Sequence, residues 1–278
     1  GDPMEFAGHT STINDMTYSP DGTLIASASS DDSVRIWNAA DATEIAVITQ
    51  ATADDTISDA YAVAFSPDGS QLLTGHSGSL RFWDVAAGAD AEGTGTQTSM
   101  IDVVGTVEDI IFSPDGSQFA IVTSNDPTAV QLYNADGTLV ATSVGHNAYV
   151  NAITFSPSSD TLAFGDQDSF LYLWDTATVE EITFNIKVED GVTSGVDNKS
   201  NITYTSDGQY MATLQSFSVT LRDVETGAMI REYDMDGIAE DIEFSPDNTM
   251  LAVVTSQGFY VFNVESGALL YSNEDAND

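Results

Sequence analysis

Cysteine is absent from the 278 residues, which excludes disulfides, thiolate metal sites and a cysteine nucleophile. Basic residues are almost absent as well. Six lysines and arginines stand against 44 aspartates and glutamates, a net charge of −38. A chain this acidic repels phosphate backbones and anionic head groups, so nucleic acid and membrane surfaces are not expected partners. No apolar run approaches the ~18 residues that a membrane helix needs. The three histidines, His9, His76 and His146, show no metal-binding spacing, and their wide separation argues against a hydrolytic triad. The one glycine-rich stretch, Gly93-Thr94-Gly95-Thr96, has no lysine after it and reads as a flexible connection, not a nucleotide loop.

What the chain does have is a repeat. Ser-Pro-Asp-Gly and its relatives start at Ser19, Ser66, Ser113, Ser156, Thr205 and Ser245, at spacings of 47, 47, 43, 49 and 40. An aromatic residue precedes each one: Tyr18, Phe65, Phe112, Phe155, Tyr204 and Phe244. The tetrapeptide is a tight turn. Proline sets φ at the second position, and glycine takes the left-handed place at the end. Alternating apolar residues flank each turn, as in Ala62-Val63-Ala64-Phe65 and Leu251-Ala252-Val253-Val254, so each turn closes a β-hairpin. A third and a fourth strand follow in every repeat. One small sheet cannot bury both of its faces, and stacking neighbours radially solves the problem. The expected fold is therefore all-β, a six-bladed propeller of four-stranded antiparallel blades spanning 7–273. Residues 1–6 read like a cloning scar, and 274–278 form an acidic tail.

The third strands resemble the WD40-repeat family. Its dipeptide is present as Trp83-Asp84 and Trp174-Asp175, and softened to Trp37-Asn38, Tyr133-Asn134, Arg222-Asp223 and Phe262-Asn263. Its Gly-His pair stands at Gly8-His9 and Gly145-His146. The resemblance implies a buried hydrogen-bond chain of His9, Ser29, Asp31 and Trp37 in the first repeat. In the fourth it implies His146, Asp168 and Trp174, with Asp166 at the serine position accepting from the indole. The other four repeats lack the set. His76 reads as a turn residue. Seven blades are usual in the family, so six leaves two options: a ring closed without a shared strand, or a piece of a longer chain.

The resemblance also implies a binding role with no catalysis and no cofactor. Loops between blades and the turns between second and third strands share the face on which propellers bind partners. On that face fall Asp32, Asp54, Asp55, Asp59, Tyr61, Asp190 and Asp197, and the longest connections, roughly 50–62, 86–98 and 187–201. The expected partner is a protein or peptide, a basic one fitting the charge. The alternative is a structural or cell-surface module binding cations or sugars, with Ca²⁺ held by loop oxygens. The acidity itself has two readings. Adaptation to high salt or to an extracellular or periplasmic setting is favoured, because acids occur in every repeat; attraction to a basic partner is the other. Arg35 and Arg81, on third strands, are expected to pair with neighbouring acids.

Overall fold

The computed structural model describes residues 5–49, 59–85, 96–124, 130–143, 149–166, 170–180, 186–187, 202–214 and 217–274. They fall into two compact units, Gly1–Gly145 and His146–Asp278. The described residues are built from antiparallel strands joined as meanders.

The first unit opens with a four-stranded sheet: β1 (Ile13–Tyr18), β2 (Leu24–Ser29), β3 (Ser33–Asn38) and β4 (Glu44–Thr49). A six-stranded sheet follows: β5 (Ala60–Phe65), β6 (Gln71–Asp84), β7 (Thr96–Phe112), β8 (Gln118–Ser124), β9 (Val130–Asn134) and β10 (Leu139–Thr142). Ala26, Ala28, Val34, Ile36 and Ile48 of the first sheet pack on Ala60, Val63, Phe65 and Leu72 of the second. Within the six-stranded sheet, Leu73, Leu80 and Phe82 share a cluster with Ile110, Phe119 and Ile121.

The second unit holds three four-stranded sheets. They are β11 (Val150–Phe155), β12 (Thr161–Asp166), β13 (Phe170–Asp175) and β14 (Ile186–Lys187); β15 (Ile202–Tyr204), β16 (Tyr210–Leu214), β17 (Ser218–Asp223) and β18 (Met229–Asp234); and β19 (Ala239–Phe244), β20 (Met250–Thr255), β21 (Gly258–Asn263) and β22 (Leu269–Glu274). Ala163 and Leu173 meet Ile202 and Met211 between the first two. Leu214, Val219, Leu221 and Tyr233 meet Ile242, Leu251, Val253 and Phe262 between the last two. Each buried valine, leucine, isoleucine, methionine or phenylalanine among them contributes ~1.5–3 kcal/mol.

The described residues thus form five sheets, not the six expected. Repeats two and three lie in one hydrogen-bonded sheet, because β7 pairs with β6 on one side and β8 on the other. Otherwise the sheets have the meander order of propeller blades.

The hairpin turns have the geometry that the tetrapeptide dictates. The amide at the fourth position donates to the carbonyl of the first at 2.8–2.9 Å in all six, from Gly22, Gly69, Gly116, Ser159, Gly208 and Asn248. All six have φ between 59° and 72°, a region that glycine enters freely and other residues enter at a penalty. The turn aspartate accepts from the first-position hydroxyl, as in Ser19 Oγ to Asp21 Oδ1 (2.6 Å) and Ser66 Oγ to Asp68 Oδ1 (2.7 Å). These local donors hold the carboxyls of Asp21, Asp207 and Asp247 low, and that of Asp68 at about 2.

The second residue of the family dipeptide shapes the next turn. Asn38, Asp175, Asp223 and Asn263 accept backbone amides through Oδ1 at 2.7–3.0 Å. Four residues on, Ala42, Val179, Gly227 and Gly267 close the turn with φ of 58–73°. Val179 is the outlier, since a β-branched residue rarely occupies that region.

Candidate functional site: a bulged edge with acidic side chains

The first strands carry a recurrent irregularity. Register shifts between Ile13/Asp15, Ala60/Ala62, Val107/Asp109, Val150/Ala152 and Ala239/Asp241. One residue is left over at each bulge: Asn14, Tyr61, Glu108, Asn151 and Glu240. Each lies five positions before the turn's first serine. A bulge breaks the alternation and re-aims its side chain, so this strand end displays polar groups where a regular strand would continue its ladder. In three repeats an aspartate follows the bulge and accepts the next amide: Asp15, Asp109 and Asp241, at 2.7–2.9 Å.

In the first unit these displayed groups converge. Tyr61 donates its hydroxyl to Asp59 Oδ2 at 3.2 Å. Burial raises the phenol's pKa, and the negative charges of Asp59, Glu108 and Asp32 raise it further. Those acids come from three repeats: Asp32 from the turn between β2 and β3, Asp59 and Tyr61 from the start of β5, and Glu108 from β7. Asp32 is exposed and held at φ 61°. Glu108 accepts from Ser124 Oγ at 2.7 Å. Asn14 ties the first sheet in by donating to Ala60 O (2.7 Å) and Ser30 Oγ (2.9 Å), and Asp15 accepts from Val63 N at 2.9 Å.

The structure therefore brings Asp32, Asp59 and Tyr61 together. Asp54, Asp55, Asp190 and Asp197 lie outside the described residues, as do His146 and Asp168. Glu108 was missed by sequence reasoning, although it occupies the same repeat position as Tyr61. Among the described residues no three metal-ligating side chains form a cluster. Of the three acids, Asp59 touches the phenol directly, while Glu108 and Asp32 act on it through their charge.

The first repeat also holds the buried hydrogen-bond chain, with one member changed. Trp37 Nε1 donates to Ser27 Oγ (2.9 Å), Ser27 Oγ meets His9 Nε2 (2.7 Å), and His9 Nδ1 meets Asp31 Oδ2 (3.0 Å). Ser27 takes the place expected of Ser29, because Trp37 pairs with Ile25 and its indole reaches only two residues along β2. Ser29 instead accepts from Asp31 N at 3.2 Å. Burial works to raise the Asp31 carboxyl but is outweighed by donors from Ser33, Thr10 and His9, which leave it well below the usual range. Phe6, within the segment set aside as a scar, packs edge-on against Trp37 with ring centres 5.7 Å apart.

Repeat two carries a chain that the sequence reading denied it. Trp83 Nε1 donates to Thr74 Oγ1, which meets His76 Nε2, both at 2.9 Å. His76 is buried on β6 and is not a turn residue. In repeat four the corresponding hydroxyl position holds Phe164, which stacks on Tyr172 (5.0 Å) and meets Trp174 edge-on (5.2 Å). Asp166, two residues further on, accepts from the Tyr172 hydroxyl at 3.1 Å, where acceptance from the Trp174 indole was expected. Arg35 pairs with Glu44, while Arg81 donates to Gln97 at 2.8 Å.

Comparison with known families agrees with this construction. The model described as WD domain, G-beta repeat matches residues 3–38 and 51–84. The model described as eukaryotic translation initiation factor eIF2A matches residues 89–239, more than half of the chain. No helix among the described residues is long and apolar enough to cross a membrane. With blade-type sheets, the Trp–hydroxyl–His chain in two repeats and these matches, the chain belongs to the WD40-repeat β-propeller proteins and, over 89–239, to the eIF2A family.

Proposed function

We propose that this chain is a non-catalytic protein-interaction module that takes a basic segment of a partner at the bulged edge of its first unit. The observation that carries this reading is the hydrogen bond of the half-buried Tyr61 phenol to Asp59 at 3.2 Å, with the charges of Glu108 and Asp32 acting on the same group. A cationic side chain there meets the half-buried phenol of Tyr61 and several carboxylates at once. Repulsion by the net charge of −38 adds selectivity against acidic partners.

The test is binding of a lysine- and arginine-rich peptide by calorimetry at 0.15 M salt. The paired substitution Asp59→Asn with Glu108→Gln is expected to weaken it at least tenfold. Glu225→Gln with Glu265→Gln, a control of equal charge in the second unit, is expected to change it less than twofold. Equal losses in both pairs reduce the interaction to general charge attraction and overturn the site.

The match to the eIF2A family favours a second reading, in which the partner belongs to the translation apparatus. The acidic surface then suits a basic protein of that apparatus and not its RNA. Co-sedimentation with ribosomes that survives nuclease treatment supports it, and loss on nuclease treatment overturns it.

A further inference from the structure

The six-stranded sheet departs from the rule of one sheet per repeat, and its cause can be located. Thr106 pairs on two sides, with Ser77 at the β6 turn and with Ser124 in β8. Ser77 belongs to repeat two and Ser124 to repeat three, so this one backbone pair, set off by a register shift from the Ser79–Asp102 pair, bridges the boundary between repeats. The Thr106 hydroxyl also donates to Ser77 Oγ at 3.4 Å. Two glycines in left-handed conformations let the chain reach: Gly78 (φ 82°) in the β6 turn and Gly105 (φ 89°) just before Thr106. Gly75 permits the close approach itself. A Cβ there would stand 2.6 Å from Val107 Cγ1 and 3.0 Å from the Val107 carbonyl oxygen. Elsewhere among the described residues, neighbouring repeats meet through side chains alone. Asp15 reaches Val63 N, Asn248 Oδ1 accepts from Ser206 N, and Arg231 reaches Ser266 O.

We infer that repeats two and three open and close as one cooperative unit, while the repeat before them opens separately. Stacked repeats couple through nearest-neighbour interfaces, and regions that share both a ladder and a core lose protection together. Here the long strand β7 runs from one repeat into the next with a bridging pair at Thr106, and the core joins Leu73, Leu80 and Phe82 to Ile110, Phe119 and Ile121. The inference stands whether or not the acidic edge binds a partner.

Native-state hydrogen exchange of the whole chain in rising urea tests it. Amides of Leu73, Phe82, Ile110 and Ile121 are expected to converge on one opening isotherm with one slope, with Ala28 and Ile36 on another. Gly75→Ala is expected to reduce protection at least tenfold in both repeats together. Separate isotherms for β5–β6 and β8–β9 overturn the inference, as does a Gly75→Ala effect confined to repeat two. Should that variant fail to fold, the wild-type isotherms decide alone.

Discussion

The Trp37 indole donates to Ser27 across two neighbouring strands at 2.9 Å, and the indole is almost fully buried. Ser27→Ala strips that donor of its acceptor where no water replaces it, at about 1–3 kcal/mol. Ser29→Ala removes only an acceptor for the Asp31 amide and is expected to cost about 1 kcal/mol or less. Urea denaturation of both variants checks the order. A larger loss at Ser29 would mean that the buried chain has been traced through the wrong serine.

Val179 holds a left-handed φ of 59° at a position where Gly227 and Gly267 stand in the two following repeats. Val179→Gly relieves a steric penalty of ~1–2 kcal/mol, offset in part by the freedom glycine loses on folding. The expected net gain is about 0.5–1 kcal/mol, seen as a higher urea midpoint with an unchanged slope.

Arg231 donates to the carbonyls of Ser266 (2.8 Å) and Glu265 (3.1 Å), latching the turn between β21 and β22 to the neighbouring sheet. A Cβ on Gly267 would collide with the guanidinium, whereas one on Gly22 would meet nothing within 4 Å. Both glycines have φ near 70°, so Gly22→Ala measures the backbone penalty alone. Gly267→Ala is expected to lose at least 1 kcal/mol more than Gly22→Ala, and Arg231→Ala is expected to recover part of that difference. A purely additive double variant would show that the latch and the glycine are independent.

Stability should pass through a maximum as the solution is acidified. Burial, and then Asp241, raise the Glu243 carboxyl above its unfolded value. Its charge therefore opposes folding at neutral pH, and the opposition fades as pH falls through the raised value. Asp68 behaves in the opposite sense. Its folded value of about 2 lies below the unfolded ~3.9, so its contribution is complete above ~4 and is lost as pH falls toward 2. Urea midpoints are expected to rise as pH falls from 7 toward the ordinary carboxylate range and to fall below about 4. Glu243→Gln should flatten the rising limb and Asp68→Asn the falling one. A midpoint that only declines from pH 7 would contradict the Glu243 argument.

Mutual repulsion among 44 acids with six basic partners should be relieved by salt. The melting temperature is expected to rise by roughly 5 °C between 0.1 and 2 M NaCl or KCl. A flat response would leave attraction to a basic partner as the better account of the acidity.

The hairpins, their turn chemistry and the dipeptide that shapes the following turn were legible because each is local. Proline, aspartate and glycine at fixed offsets leave a mark in the chain itself. What escaped depends on register. Ser27 and Ser29 point to the same side of β2, and only the pairing of Trp37 with Ile25 separates them. His76 looked like a turn residue because the hairpin beyond it is short, with Gly78 at φ 82°. The pairing of Ser77 with Thr106 is made by backbone at a register shift that the sequence pattern does not announce, which is why five sheets looked like six. Of the proposed binding residues, Asp32, Asp59 and Tyr61 were readable from their loops. Glu108 was hidden inside an apolar strand, and its exposure comes from a bulge that composition does not reveal.

The hairpin turns also bear on how this chain ages. Asp-Gly sequences are weak points in loose polypeptides, because the glycine nitrogen can attack the aspartate side chain and leave an isoaspartyl link. In Asp21-Gly22, Asp68-Gly69 and Asp207-Gly208 that nitrogen is engaged with a carbonyl at 2.8 Å, and the carboxylate is ionised and tied to hydroxyl and amide donors. The contacts that close these three hairpins thus also hold the two reacting groups apart, and dipeptides that are fragile in a loose chain become durable there once folded.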